Sequence, residues 1–389
     1  MRRTWIAIAA GLLAATAFAA PALAGPEGVS VVSQDIPAIS GLQAFRLHSQ
    51  RIGRDFEVVV HPPSATVFLP GQKFPVIYAL DGGYALAGQT GLLLGNTGAM
   101  APAYVVDITY PPGDGMHRND DLTHAKIAPL MPGGPSFGGG GAAFEAFLLE
   151  DLRPFIEAKF PVDPSRSVLF GHSLGGLFAA RVFADKPDAF AGWIIGSASV
   201  WADPEVAAAV AKAASSTKAA RIYLSVGEFE DALTPNSPPR MLNGFKALSD
   251  ALKGRPGIAL KTQLYPGETH LSYYPRLVTD GFSFVLPPLR PLNFRDHPLT
   301  DEGVKRYVGV YALPDGRTLT IRFPKGPPGA TPAMLQAQVT GIAPVPLMQN
   351  GGDRFYNPTS DIDATFDGKS LTMVADGVKM RVEKVKSEP

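Results

Sequence analysis

Apolar residues in this chain fall in short runs whose period switches between two values. Arg54 to His61 (RDFEVVVH) alternates and then turns apolar, which predicts a strand ending at Pro62-Pro63. Phe74 to Leu80 (FPVIYAL), Ala103 to Thr109 (AYVVDIT), Ser167 to Phe170, Gly192 to Gly196 and Arg221 to Val226 (RIYLSV) are nearly continuous apolar runs, the pattern of strands buried on both faces. Ile258 to Tyr265 predicts a further strand, and an irregular lead-in with a first strand occupies 26–50. Between the runs the period becomes helical. Phe144, Phe147, Leu148, Leu152 and Ile156 share one face of a helix over 142–160. Further helices are predicted just after Ser173 and over 202–214, 239–253 and 272–285. Buried strands alternating with helices predict an α/β fold with a mostly parallel central sheet. Ligands of such sheets collect at the carboxyl ends of the strands.

The pattern changes after Pro287-Pro288-Leu289-Arg290-Pro291-Leu292, a predicted linker. Residues 307–311, 318–323, 334–339, 362–366, 371–374 and 378–385 are short, alternating and bounded by turns, which predicts a small antiparallel β domain over 298–389. At the other end Met1-Arg2-Arg3, the apolar run Trp5 to Phe18 and Ala22-Leu23-Ala24 before Gly25 have the layout of a secretory signal over 1–24. That leaves 25–290 as the large α/β domain and predicts a protein of the periplasm or the cell exterior. No later stretch reaches the roughly 20 apolar residues of a membrane span. Lys+Arg and Asp+Glu balance at 35 each, so neither nucleic acid nor an acidic surface is an expected partner. The absence of cysteine excludes disulfides, thiol catalysis and cysteine metal sites.

The chemistry centres on Leu169-Phe170-Gly171-His172-Ser173-Leu174-Gly175-Gly176, a G-x-S-x-G placed between a predicted strand and a predicted helix. Such a turn strains the serine and exposes its hydroxyl beside a helix N-terminus. Serine needs a base to take its proton. Of the seven histidines, His270 follows the last predicted strand of the large domain. Ser173, an acid and then His270 gives the α/β-hydrolase order. His172 reads as a packing residue, His117 and His124 as solvated loop residues, and His48, His61 and His297 as structural. The acid comes from Glu228, Glu230 or Asp231, which crowd one loop, with Glu230 preferred. An oxyanion hole needs two N–H donors. The Leu174 amide is one; Gly82 of Asp81-Gly82-Gly83 is the other, with Asp81 as its rival.

These stretches resemble the esterase family of α/β hydrolases that includes esterase D, feruloyl esterases, the trilactone esterases acting on enterobactin-type siderophores and the antigen 85 mycolyltransferases. The resemblance spans about residues 40–287. It rests on VIYALDGGY (ending at Tyr84), RNDDLTHA (118–125), the run 138–203, VGEFED (226–231) and ETH (268–270). It implies a serine esterase acting through an acyl-enzyme on Ser173 with Glu230 as the acid, a small-molecule ester as substrate, and no metal or organic cofactor. By the same resemblance SASVWAD walls the substrate cleft, with Ser197, Ser199 and Trp201 facing substrate; Asp81, Tyr84 and Arg118 complete the candidate contacts. Residues 298–389 resemble the small β domains appended to secreted serine hydrolases and penicillin-binding-protein-like enzymes. Acyl transfer or peptide hydrolysis on the same three residues, or a non-catalytic binding protein on this scaffold, are the alternatives. The loop 111–141 is expected to shape the leaving-group side, and the ester itself stays open among siderophore, aryl and sugar esters.

Overall fold

The computed structural model describes residues 28–33, 42–63, 69–80, 86–115, 117–129, 134–231, 240–288, 299, 301–324, 334–357, 360, 362–375 and 377–387. The expected signal segment 1–24 lies outside the described residues, as do residues 289–298, which include the predicted linker from Leu289 on.

The large domain opens with β1 (Val29–Ser33), β2 (Gln43–Ser49), β3 (Arg54–His61) and β4 (Phe74–Leu80), then α1 (Leu86–Thr97) and β5 (Tyr104–Thr109). A connecting region holds α2 (His117–Asp121) and a small hairpin, β6 (Lys126–Ile127) with β7 (Phe137–Gly138). Next come α3 (Gly141–Ala146), a π-helical stretch over Phe147–Leu152, α4 (Arg153–Lys159), β8 (Val162–His172) and α5 (Leu174–Asp185). After β9 (Gly192–Gly196) follow α6 (Val206–Ala214), β10 (Ala220–Gly227), α7 (Met241–Leu252), β11 (Ile258–Tyr265) and α8 (Tyr274–Val285).

Nine of these strands form one sheet in the order β1-β2-β3-β5-β4-β8-β9-β10-β11. The six from β5 to β11 run parallel, and the three at the other edge are antiparallel. Alternate side chains feed two cores, as a strand's period of two requires. From β4, Val76, Tyr78 and Leu80 enter the core beneath α5 and α6, and Ile77 and Ala79 enter the one beneath α1 and α8. From β8 and β9, Leu169 and Trp193 join the first core, Phe170 and Ile194 the second. All seven residues of β4 are buried. Each such Val, Ile, Leu or Phe contributes about 1.5–3 kcal/mol over an exposed position, so the middle of the sheet is its most stable part.

Two elements differ from the sequence reading. The α1 segment LAGQTGLLLGNT has three glycines, which lower helix propensity and hide it. They are there for close packing: a Cβ on Gly88 would lie 2.3 Å from the His61 ring, and one on Gly91 2.6 Å from Val105. The 111–141 region also carries α2 and the β6/β7 hairpin. There Gly138 and Gly139 take φ of +90° and +94°, and Gly138 N–H donates to Asp120 Oδ1 (2.6 Å). Gly139 and Gly141 N–H both donate to the Thr123 carbonyl at 3.0 Å.

After α9 (Asp301–Val304), eight strands close into an antiparallel barrel: β12 (Gly309–Ala312), β13 (Thr318–Arg322), β14 (Leu335–Val339), β15 (Val345–Gln349), β16 (Arg354–Asn357), β17 (Ile362–Phe366), β18 (Ser370–Ala375) and β19 (Val378–Lys386). Strand β19 pairs back onto β12, so no edge is left. The interior of an eight-stranded barrel is narrow enough for side chains to fill. Leu319, Ile321, Leu347, Phe355, Ala364 and Met373 fill the interior. The sequence reading missed β15, which contains Pro346, and β16, four residues long.

The barrel docks on the segment before β4. Leu69, 2% exposed, packs into the barrel core, and Gln72 Nε2 donates to the Ser360 carbonyl at 3.1 Å while its Oε1 accepts from Leu69 N–H at 3.2 Å. This is the amino end of the parallel strands.

Candidate active site

At the carboxyl end, β8 finishes at His172 and α5 starts at Leu174, leaving Ser173 alone on the turn with φ +62° and ψ −120°. A non-glycine residue there costs on the order of 1–3 kcal/mol, so the surroundings must impose it. They do. A Cβ on Gly171 would sit 2.0 Å from the Gly175 carbonyl oxygen, and one on Gly176 2.5 Å from that of Gly196. Ser173 N–H donates to Gly196 O (2.9 Å), and Ser199 N–H donates to Ser173 O (3.1 Å). Leu174 opens the helix, so its N–H is one of the first four, which have no carbonyl within the helix to receive them. Ser173 Oγ lies 3.5 Å from Ser199 Oγ, and no hydrogen bond joins it to His270 among the described residues.

Strands β10 and β11, parallel to β8 by way of β9, end on the same side of the sheet. The turn after β10 carries the three acids, and the structure separates them. Glu230 turns inward: its side chain is fully buried, and its Oε2 accepts from His270 Nδ1 at 2.5 Å. Asp231 accepts the N–H groups of Arg240, Met241 and Leu242 at 2.9, 3.1 and 3.2 Å and so caps α7. Glu228 Oε2 accepts Gly267 N–H at 2.8 Å and fixes the turn that leads to His270. Because a carboxylate only accepts, Nδ1 of His270 holds the proton and Nε2 is left as an acceptor. The His270 side chain is 36% exposed, facing solvent above a buried acid.

Glu230 Oε1 is also occupied. It accepts Gly227 N–H at 3.1 Å and a very short bond from Ser197 Oγ. Ser197 Oγ in turn pairs with Tyr273 OH at 2.5 Å. Ser197 is 1% exposed, so it faces the acid and not the cleft expected of it. Ser199 stays with the elbow. Trp201 is partly buried, with the Arg240 guanidinium 5.9 Å from its ring centre. Arg118, on α2, donates to the His172 carbonyl at 3.4 Å, which sets a cation against the elbow. Exposed Phe229 and Leu271 sit next in sequence to Glu230 and His270 and give that side an apolar lip.

His172 is buried with its ring 4.6 Å from that of His270 and edge-on to Tyr274. Burial, then the neighbouring His270, holds its pKa down at about 3, so it stays neutral. Sequence reasoning gave it a packing role; it lacked Tyr273 and the inward turn of Ser197. The one sequence signal for Tyr273 was its place three residues after His270, at the start of a helix. Gly82, Asp81 and Tyr84 lie outside the described residues.

Elsewhere, His61 and Asp107 form a buried pair (3.0 Å) under α1, and His48 pairs with Asp55 (2.7 Å). Burial pushes the Asp107 carboxyl above its ordinary range. His124, Glu145 and Asp185 bring ligand atoms within 4.8 Å of one another. Arg181 holds Asp185 through two bonds, of 2.9 and 3.0 Å, so this carboxylate is already neutralised by a cation.

Comparison with known proteins identifies the family and the fold. Residues 49–253, more than half of the chain, match the family described as Putative esterase. The ferri-bacillibactin esterase BesA of Bacillus subtilis is 32% identical over 273 residues, which is 65% of this chain and 92% of that protein. The BES protein from Bacillus cereus superposes with a TM-score of 0.57 at 27% identity, over 66% of this chain and 99% of its own. The siderophore hydrolase EstA from Aspergillus nidulans shares the fold at a TM-score of 0.54, with 24% identity, 64% of this chain covered and 96% of that one. The chain belongs to the Putative esterase family: it is a carboxylic-ester hydrolase on an α/β-hydrolase sheet, with a closed β-barrel appended.

Proposed function

We propose that the ester is cleaved through an acyl-enzyme on Ser173, with His270 as general base and Glu230 as the acid that orients it. The observation that carries this reading is the 2.5 Å bond from His270 Nδ1 to a buried Glu230, beside a strained serine elbow. His270 Nε2 takes the serine proton as Oγ attacks the ester carbonyl. The Leu174 N–H holds the resulting oxyanion, with Gly82 as its expected partner. His270 then gives the proton to the leaving alcohol, and water activated by the same imidazole hydrolyses the acyl-enzyme. The resting contact of Ser173 Oγ with Ser199 Oγ is released on the way, since such bonds often tighten only with substrate in place.

The substrate we propose is a siderophore ester, as the names of the relatives suggest, processed in the periplasm or outside the cell after removal of residues 1–24. Arg118 beside the elbow suits an anionic, oxygen-rich ligand, and Phe229, Leu271 and Trp201 suit its aromatic or apolar parts. A fluorophosphonate probe tests the chemistry. Ser173 is expected to be the labelled residue in the folded protein, and Ser173→Ala is expected to lose labelling and ester turnover together; a labelled, active Ser173→Ala would refute it. A hydrolysis panel of ferric siderophore trilactone, feruloyl ester and p-nitrophenyl acyl esters tests the substrate, with the trilactone expected to show the highest kcat/KM.

A further inference from the structure

We infer that Ser197 and Tyr273 are positioning residues: a buried hydroxyl pair that fixes the Glu230 carboxylate and thereby sets the orientation and basicity of His270. This rests on the triad proposed above.

Several independent features converge on Ser197. Its backbone sits at φ +42°, one of two non-glycine residues with positive φ among those described, the other being Ser173. Serine gains nothing from that conformation, and glycine would take it without cost. The side chain must therefore justify the position. Its hydroxyl donates to Glu230 Oε1, which also receives Gly227 N–H. With the Ser197 proton directed at the carboxylate, the 2.5 Å contact with Tyr273 has the tyrosine as donor. The corner is held from behind, because Ser197 N–H donates to the Ser225 carbonyl at 2.8 Å. Room for the phenol comes from Gly196: a Cβ there would lie 3.2 Å from Tyr273 OH and 2.3 Å from Leu277. Tyr273 is fully buried, and burial raises its pKa, so it remains a donor across the working range. Glu230 thus has both oxygens committed, Oε1 to fixed donors and Oε2 to His270. A carboxylate free to rotate about its terminal bond would not hold the imidazole in one plane.

The sign of the effect on His270 follows. Donors on Oε1 draw charge from the carboxylate and weaken its hold on a protonated imidazole. Removing the Ser197 hydroxyl strengthens that hold, so the imidazole pKa rises and the acid limb of kcat/KM moves to higher pH. Glu230 from the turn after β10 and His172 from β8 face His270; Tyr273, at the cap of α8, and Tyr274, its first residue, pack on His172, with Arg118 of α2 beyond it, and Glu268 on the His270 loop pairs with Arg276 of α8. Of these, Glu230 and Tyr273 each lose a hydrogen bond when the Ser197 hydroxyl is removed, and Tyr273 stays neutral throughout.

The test measures pH profiles of kcat/KM on a p-nitrophenyl ester for Ser197→Gly, Tyr273→Phe and Glu230→Gln in the full-length protein, with thermal unfolding alongside. Ser197→Gly relieves the backbone strain, so it is expected to keep its melting temperature while kcat/KM falls roughly ten- to hundredfold, the range for losing a hydrogen bond to a charged group. Its acid limb is expected to move up by about half a pH unit or more. Tyr273→Phe keeps the ring and is expected to show the same direction with a smaller fall. An acid limb that stays in place in both variants, with activity within twofold of the wild type, would overturn the inference while leaving the triad intact, provided Glu230→Gln is impaired. A fully active Glu230→Gln would overturn the triad assignment itself, and with it this inference.

Discussion

At the scale of single residues the three acids of the loop after β10 show how one sequence cluster divides its work. Glu228, Glu230 and Asp231 lie within three positions of one another, yet one binds a turn amide, one the histidine and one a helix end. Each predicts a different loss. Glu230→Gln keeps shape and burial but removes the charge that, in the proposed mechanism, stabilises the His270 imidazolium, so kcat is expected to fall by two orders of magnitude or more. Asp231→Asn weakens the α7 cap and is expected to cost about 1 kcal/mol of stability with little change in kcat. Glu228→Gln can still accept from Gly267 and should be close to neutral in both. Paired measurements of kcat and urea unfolding separate the three outcomes; a stability-only effect of Glu230→Gln would remove it from the chemistry. The sequence placed Ser173 and His270 because each follows a strand pattern that any reader can find. It left the acid open because direction within a five-residue turn depends on φ and ψ and on which amides lie opposite. Ser197 was expected at the cleft for a related reason: nothing in SASVWAD shows that its first serine takes positive φ and turns inward.

At the scale of elements the strand–turn–helix at Ser173 works because glycines remove atoms where three backbones meet. Gly171 faces the Gly175 carbonyl and Gly176 faces the Gly196 carbonyl, so β8, α5 and β9 approach more closely than any side chain would permit. A methyl at 2.0 Å from a backbone oxygen cannot be relieved by rotating a side chain. Gly171→Ala is therefore expected to displace the elbow, lowering stability by about 3 kcal/mol or more, within the range of severe overpacking, and abolishing measurable turnover. Thermal unfolding and ester hydrolysis check this; a variant with wild-type melting and activity would mean that the turn has slack the packing denies. The same physics explains what the sequence concealed in α1. Glycine there reads as a breaker, since a pattern of residue types does not distinguish a glycine chosen for its dihedrals from one chosen for its missing Cβ. Gly88 and Gly91 in α1 are of the second kind. The strands were legible because burial on both faces leaves continuous apolar runs. Short barrel strands such as Arg354–Asn357 were not, because four residues carry too little alternation.

At the scale of the whole molecule the two ends of the parallel sheet carry different tasks. Ser173, Glu230 and His270 follow the carboxyl ends of β8, β10 and β11, whereas the barrel meets the chain at Leu69–Gln72, ahead of the amino end of β4. Strand β4 has seven residues, and at about 3.3 Å per residue it separates these ends by roughly 20 Å. The barrel segment that contacts Gln72 is therefore remote from the elbow, and this interface should influence stability far more than catalysis. Leu69 is the residue on which to test it. Its side chain is buried in the barrel's own apolar core, so Leu69→Ala is expected to cost about 2–5 kcal/mol. Gln72→Ala leaves the buried Ser360 carbonyl and the Leu69 N–H without their partner and is expected to cost about 1–3 kcal/mol. Both variants should keep kcat and KM within about twofold of the wild type at temperatures where they remain folded. Calorimetry and initial rates on the same samples decide the matter. A fall in kcat that tracks the loss of stability at Leu69 would show that the barrel supports the catalytic sheet across its length, and that the two ends act as one unit.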